Sequence, residues 1–299
     1  MDLSILIPAY NQSCLQLVRS LQQQCLAAGA SYEIIVADDA STDEAARREN
    51  AAAGELEGCR AIMQPQNRGR AATRNLLVSQ AGGDYLLFID SDALLTRPDF
   101  IATYLAALPT RAVICGGIVH ADELPGADVS LRWRYEKACE PLFTARRRSL
   151  RPYQCLRTFN IMLPRAVALA HPFDERLRHY GYEDTLMGRE LEQAGIEVRH
   201  IDNPMLNHDL EDNATFLEKT RESMRTLLST ETEMQGYSSL LRAHRRLSRL
   251  RLTRPLAALY RLGHRWAERN LLGPRPSVRL LQLYKLCYYC EIKRQGRNV

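Results

Sequence analysis

The sequence predicts an α/β protein: a mostly parallel, twisted sheet flanked by helices, followed by a basic helical extension. Three observations carry this expectation. Strand-like and helix-like segments alternate four times over residues 3–89, the pattern of parallel strands joined by right-handed crossovers. Polar residues recur where successive strands end, at Tyr10 and Asn11, Asp38 and Asp39, and Asp90 and Asp92. In open α/β sheets that edge is where ligands bind. Charge also changes sign along the chain. The net is +5, yet the stretch from Arg242 onward holds fifteen Lys and Arg against Glu268 and Glu291, so the remainder is acidic. This asymmetry sets a boundary near Gly236, dividing a main domain over 1–235 from a helical extension over 236–299, and it suggests an anionic partner for the tail.

Each element has its own reason. Residues 3–8 are a strand, and Ala9-Tyr10-Asn11 is the loop leaving it. Ser13 is the expected cap of a helix that runs to about Ala28 and closes at Gly29. Residues 33–37 form the second strand, ending in Asp38-Asp39. Ser41-Thr42-Asp43-Glu44 opens the next helix in the manner of a capping box. Residues 60–63 are a short third strand, and Asn67-Arg68-Gly69-Arg70 leads into a helix over 71–81. After Gly82-Gly83 come five apolar residues in a row, Tyr85 to Ile89. Such a run bounded by turns reads as a strand buried on both faces. It stops at Asp90-Ser91-Asp92. Side chains at i and i+2 share a face, so two carboxylates converge there and repel unless a cation joins them. Two readings stand: aspartates capping a turn, or a divalent metal holding a phosphorylated ligand.

Further on, residues 112–119 read as one strand with Gly116-Gly117 at its centre, a sign of close backbone approach or a bulge. Residues 129–150 carry Trp133, Tyr135 and Phe143 with Arg146-Arg147-Arg148, taken as a solvated basic face. A strand is expected over 156–163, a helix over 183–194 ending at Gly195, and a strand over 196–201. Tyr180-Gly181-Tyr182-Glu183-Asp184 opens that helix, and acids in a first turn also suit the helix dipole as plain caps.

The tail is helical by pattern, with 216–233 amphipathic and breaks at Pro255 and at Gly273-Pro274-Arg275-Pro276. Two readings stand for it. One is an interfacial helix on an anionic membrane surface. The other is a helical subdomain packed on the core or on a second copy of the chain. The tail aromatics sit on apolar faces rather than among the arginines, so nucleic acid is not an expected partner.

Eight cysteines without framework spacing, Cys287 and Cys290 among them, read as reduced, mostly buried thiols of a cytosolic protein. No basic leader precedes the first apolar run and no window is long enough to span a bilayer. The expected location is cytoplasmic, peripheral on the inner face of the cytoplasmic membrane if the tail binds lipid. No G-x-G-x-x-G follows the first strand and no G-x-x-x-x-G-K-[ST] occurs, which disfavours dinucleotide dehydrogenases and P-loop phosphotransferases.

Four stretches together, residues 3–11, 34–43 and 67–75 with Asp90-Ser91-Asp92, resemble the family 2 glycosyltransferases of the GT-A fold, in the family's order and at about its spacing. The resemblance implies a nucleotide-sugar-binding half over 1–120 and a donor-sugar and acceptor half over 121–212. It implies that Asp39 reads the uracil of a UDP-sugar, that Pro8 and Tyr10 wall the base pocket, and that Arg74 lines the nucleotide site. It makes Asp90-Ser91-Asp92 the D-x-D that holds Mn²⁺ or Mg²⁺ against the diphosphate. Asp184 takes the place of the catalytic base, with Glu183 orienting the acceptor or the base. His208 is the expected third metal ligand, with His200 the alternative, because imidazole suits Mn²⁺. Asn160 falls where the family places a donor-sugar contact. For Tyr10 an edge-packing role stands beside the base pocket, and for Asp39 a capping one.

These residues predict an inverting, metal-dependent, non-processive glycosyltransferase acting on a glycan or lipid-linked acceptor. The Gln-x-x-Arg-Trp motif of processive members is missing. A nucleotidyltransferase is the rival enzyme, but Pro8-Ala9-Tyr10-Asn11 offers no Gly-rich, Lys-bearing phosphate loop.

Overall fold

A computed structural model describes residues 2–124, 126–176, 181–208 and 210–296. The parallel core forms as the alternation requires. Strands β1 (Leu3–Ala9), β2 (Tyr32–Asp38), β3 (Cys59–Met63) and β4 (Tyr85–Ile89) lie in the order β3-β2-β1-β4, all parallel. Helices α1 (Leu15–Ala27), α2 (Glu44–Ala53) and α3 (Arg70–Gln80) make the crossovers. Side-chain alternation feeds two clusters. Ile5, Ile7, Ile34, Val36, Leu87 and Ile89 enter one, while Leu6, Ile35, Ala37, Leu86 and Phe88 enter the other. Both faces of these strands are therefore covered, which is why their sequences run apolar without alternation. Each fully buried Val, Leu, Ile or Phe side chain among them contributes about 1.5–3 kcal/mol.

Local capping departs from expectation at one helix and follows it at the next. Ser13 does not cap α1; its hydroxyl donates to Glu49, and Asn50 accepts the Cys14 N–H instead at 3.0 Å. Asp43 caps α2, accepting from the N–H groups of Ala45 and Ala46.

The sheet then widens to seven strands. After β5 (Ala93–Leu95) and α4 (Phe100–Leu105), the expected strand over 112–119 proves to be two, β6 (Val113–Cys115) and β7 (Ile118–His120). Gly117, at φ 108°, turns the chain between them. Helices α5 (Ser130–Cys139) and α6 (Ala145–Arg148) precede β8 (Asn160–Pro164), and α7 (Arg165–Ala170) and α8 (Glu183–Gln193) follow it. Strands β9 (Val198–His200) and β10 (Met205–Asn207) come next. The full order is β3-β2-β1-β4-β8-β6-β9, with β8 antiparallel to both neighbours; a second sheet runs β5-β10-β7. The strand expected over 156–163 starts only at Asn160, and the one over 196–201 is shorter at both ends. The resulting architecture is the GT-A type, a mostly parallel sheet flanked by helices, with a helical carboxyl-terminal extension.

The chain divides into two compact units: residues 1–119, 142–178 and 187–209, and residues 120–141, 179–186 and 210–299. The second holds α5, α9 (Asn213–Ser229), α10 (Ser239–Arg249), α11 (Thr253–Leu271) and α12 (Val278–Gln295). Position 236 thus falls inside this unit, because α5 and α9 supply Leu131, Phe216 and Leu217 to the cluster that buries Leu271, Leu281 and Tyr284. Asp212, Ser238 and Ser277 cap α9, α10 and α12. Pro255 sits in the first turn of α11 rather than in a break, a place where its missing N–H has no helical partner to lose. Cys287 and Cys290 are buried in α12 as free thiols; burial pushes Cys290 up to about 11. No helix among the described residues is long and apolar enough to cross a membrane.

Candidate active site

Neighbouring parallel strands β2, β1 and β4 end at one edge of the first unit, so the loops that follow them emerge side by side. The first two loops are tied together. The Asp39 N–H donates to Ala9 O at 2.8 Å. Asn11 Oδ1 accepts from the N–H groups of Thr42 at 2.7 Å and Asp43 at 3.0 Å, and the Asn11 N–H donates to Ser41 Oγ at 2.8 Å. Both loops hold left-handed residues, Asn11 at φ 53° and Ala40 at φ 58°. For Ala40 that is strain, and such strain concentrates at functional sites. Between these latches Tyr10 stands 48% exposed, and Pro8 is half-buried.

The two adjacent aspartates differ. Asp38 is fully buried, and its carboxylate accepts from Ser41 N–H, Ser41 Oγ and Asn50 Nδ2 at 2.8–2.9 Å. Its acceptors are occupied by the fold. Asp39 is buried too, but it points at the entrance to α3. Arg68 N–H reaches Oδ1 at 2.8 Å, Gly69 N–H reaches Oδ2 at 2.9 Å, and Gln64 Nε2 reaches Oδ1 at 3.0 Å. Gln64 also donates to Thr73 Oγ1 at 2.9 Å. Asp39 therefore does cap a helix entrance, that of α3. No sequence signal marks Gln64, Arg68 and Gly69, because contact with a carboxylate 25 or more positions away leaves no local pattern.

Beyond β4, Asp90 is committed to an ion pair. Arg74 Nη2 donates to Asp90 Oδ1 at 2.7 Å. Arg74 is 3% exposed, its guanidinium lies over the Phe173 ring at 5.4 Å, and its buried Nε has no hydrogen-bond partner. Asp92 has a different neighbour. The antiparallel pairing of β5 with β10 sets Asn207 opposite Ala93, and one step further the His208 N–H donates to Asp92 O at 3.1 Å. Asp92 and His208, more than a hundred positions apart in sequence, thus become backbone neighbours at the end of this ladder. Their donor types suit a divalent cation. Among the described residues, no group of three or more His, Cys, Asp and Glu side chains could hold a metal ion. Asp92 and His208 are neighbours through their backbones, and Asp90 is held by Arg74.

Three other expectations fail for one reason: their polar groups are already used. Asn160 Oδ1 accepts from Tyr104 Oη at 2.7 Å, and its Nδ2 donates to Asn203 O at 2.8 Å and Gly117 O at 3.1 Å. It latches β8 to the turn after β6 and touches no open surface. Arg148 is not on a solvated face. It is buried, donating to Phe143 O, Cys115 O, Gly116 O and Ile201 O and to His200 Nδ1 at 2.9–3.3 Å. His200 must then be neutral, accepting at Nδ1 and donating from Nε2 to Pro152 O at 2.9 Å. Burial lowers it from 6.5 to about 4, and no ring nitrogen remains for a metal. The glycine pair makes this possible. A Cβ on Gly117 would lie 2.6 Å from Arg148 Nη2, and one on Gly116 would lie 2.5 Å from Asn203 O.

Glu183 and Asp184 belong to the second unit, half-buried in the first turn of α8. The approach to them is tight. Gly181 is at φ 105°, where a Cβ would meet the Ser223 side chain at 2.7 Å, and Tyr182 holds a left-handed φ of 70°. Tyr182 packs with Met224, Leu227 and Tyr289, which fixes where the helix begins. Tyr180, the first residue of that motif, lies outside the described residues.

Similar proteins are found both by sequence and by fold. A curated glycosyltransferase of Haemophilus influenzae, itself uncharacterized, is 36% identical over 104 residues, 33% of this chain and 37% of that protein. The undecaprenyl-phosphate 4-deoxy-4-formamido-L-arabinose transferase of Pseudomonas paraeruginosa is 34% identical over 93 residues, 30% of this chain and 27% of that protein. The matched segments thus span only about a third of these relatives. Among solved structures, a mannosyltransferase of Pyrobaculum calidifontis in complex with GDP-Man and Mn²⁺ superposes with a TM-score of 0.62 at 15% identity, over 99% of this chain and 87% of that one. Glucosyl-3-phosphoglycerate synthase of Mycobacterium tuberculosis, in complex with Mn²⁺, UDP and glucosyl-3-phosphoglycerate, gives 0.52 at 19% identity, over 76% and 79%. At such identities the likeness is one of fold. The description Glycosyl transferase family 2 matches residues 4–163, more than half of the chain and every strand that ends at the candidate rim, and on that match the chain belongs to glycosyl transferase family 2.

Proposed function

We propose that the protein is an inverting, non-processive glycosyltransferase that moves one sugar from a nucleotide-sugar, UDP-linked by preference, to the hydroxyl of a glycan or lipid-linked acceptor. The supporting observation is the single edge at which β2, β1 and β4 end, with Asp39, Tyr10 and Asp90 following in turn and His208 paired to Asp92. Tyr10 and Pro8 would wall the base, and Asp39 would accept the imide N–H of uracil. Arg74 keeps Asp90 in place by their ion pair. Asp92 and His208 would hold Mn²⁺ or Mg²⁺, which when bound neutralises the charge of a departing diphosphate. Asp184 would take the proton of the acceptor hydroxyl, and that oxygen would attack the anomeric carbon opposite the leaving group, inverting the centre. Glu183 would orient the acceptor or the base. The nucleotides in the two solved relatives, UDP and GDP-Man, support the donor class, and the named undecaprenyl-phosphate transferase supports a lipid-linked acceptor. A cytoplasmic enzyme, peripheral on the inner face of the membrane, fits such an acceptor.

A screen of nucleotide-sugars for Mn²⁺-dependent hydrolysis and thermal stabilisation identifies the donor. Asp184→Asn is expected to retain UDP binding and lose transfer by about 10²–10⁴-fold. Unchanged turnover in that variant would remove Asp184 from the role.

A further inference from the structure

The outer face of α11 is built for a partner that the second unit does not provide. At about 100° per residue, Ala257, Ala267 and Leu271 form its buried stripe. Tyr260 continues that stripe, packed on Tyr284 and Tyr288. The opposite stripe is apolar as well. Leu259, Leu262 and Trp266, spaced i, i+3 and i+7, are all exposed, Leu262 at 89% and Trp266 at 69%. The turn before the helix extends the same character with exposed Leu250 and Leu252. Large apolar groups in register on a solvent face are costly in water and mark a surface that is covered in use.

Charge indicates what covers it. Arg254, Arg265 and Arg269 run along one flank of the stripe, exposed and without an ion-pair partner among the described residues. Arg261, on the same flank, sits 3.7 Å from Glu291. The one acid of the helix, Glu268, is turned away and bound by Arg221 at 2.5 Å and Tyr284 at 2.9 Å. An antiparallel two-fold contact with a second copy would set these arginines against their own kind. A sheet of anionic headgroups neutralises them while accepting the Leu and Trp side chains between acyl chains. Arginine stems suit that depth, since their apolar lengths lie along the boundary with the charge in water.

We propose that α11 lies in the plane of an anionic lipid surface, with Leu259, Leu262 and Trp266 inserted and Arg254, Arg265 and Arg269 on the headgroups. The proposal stands independently of the glycosyl-transfer reading. The full chain should co-sediment with vesicles of phosphatidylcholine containing phosphatidylglycerol, but not with phosphatidylcholine alone, and should release as salt rises. Trp266 emission should shift to the blue on binding, a shift lost in Trp266→Phe while binding persists. Leu262→Ser with Trp266→Ser should lower the partition coefficient by about tenfold or more, and each Arg→Gln by about fivefold. These side chains are exposed, so melting temperatures should stay unchanged and report intact folding. Equal binding to both vesicles, or full binding by the double serine variant, overturns the proposal. So does a lipid-free dimer that the same variant dissociates, or vesicle binding outcompeted by short RNA at equal charge.

Discussion

The two halves of the first unit use polar residues in opposite ways. Over residues 2–95, polar side chains stay near the loops that display them. Asn11 and Asp43 tie and cap loops within a few residues of the strand ends, and Tyr10 is left exposed. Over residues 113–119, 142–176 and 187–207, they turn inward and stitch distant segments together: Arg148 holds four carbonyls and His200, and Asn160 joins Tyr104, Gly117 and Asn203. The first half gathers polar groups at the loops that follow its strands. The second makes the scaffold that fixes its shape, and a polar residue there is no sign of a ligand.

Substitutions can break or sharpen this contrast. Arg148→Ala should be the most damaging, leaving several buried carbonyls unpaired at a cost of about 3–5 kcal/mol in urea unfolding. A loss below about 1 kcal/mol would mean that Arg148 is no scaffold. Asp39→Ala should cost less, about 1–3 kcal/mol, because the entrance of α3 loses its acceptor while Asp38 still binds Ser41 and Asn50. It should also abolish detectable UDP binding in calorimetry.

A pH effect should trace to His200. Its folded value of about 4 lies below the ordinary 6.5. Between those values the unfolded chain takes up the proton and the folded one does not, so stability rises with pH. The contribution is complete above about pH 6.5 and is lost as pH falls through about 4. Thermal melts of the protein and of His200→Gln across that window should converge toward low pH; parallel curves would exclude the histidine. Least of all should Tyr10→Ala alter stability, within about 0.5 kcal/mol, while weakening UDP binding by about 1–3 kcal/mol if the ring stacks on the base. Unchanged affinity would assign Tyr10 to edge packing.

How far each region could be read from sequence follows the same divide. β4 is legible to the residue, because a strand covered on both faces must be a continuous apolar run, and Gly82-Gly83 and Asp90 bracket it. The α2 start is legible because capping acts over three residues. Residues 112–119 mislead: apolar content marks an extended chain but not which sheet each part joins, and that choice was made by Gly117 at φ 108°. Arg146-Arg147-Arg148 misleads because nothing local separates a buried arginine from two exposed ones.

By itself the sequence determined the parallel core, the order of the polar strand ends and the amphipathic character of the tail. All three arise from periodicity and from interactions spanning a few residues. Only the tertiary structure decided that His208 sits beside Asp92, that Asp39 addresses the entrance of α3, that Arg148 and Asn160 are interior latches, and which stripe of α11 faces water. Those depend on contacts between residues tens to more than a hundred positions apart, formed only once strands pair and helices pack.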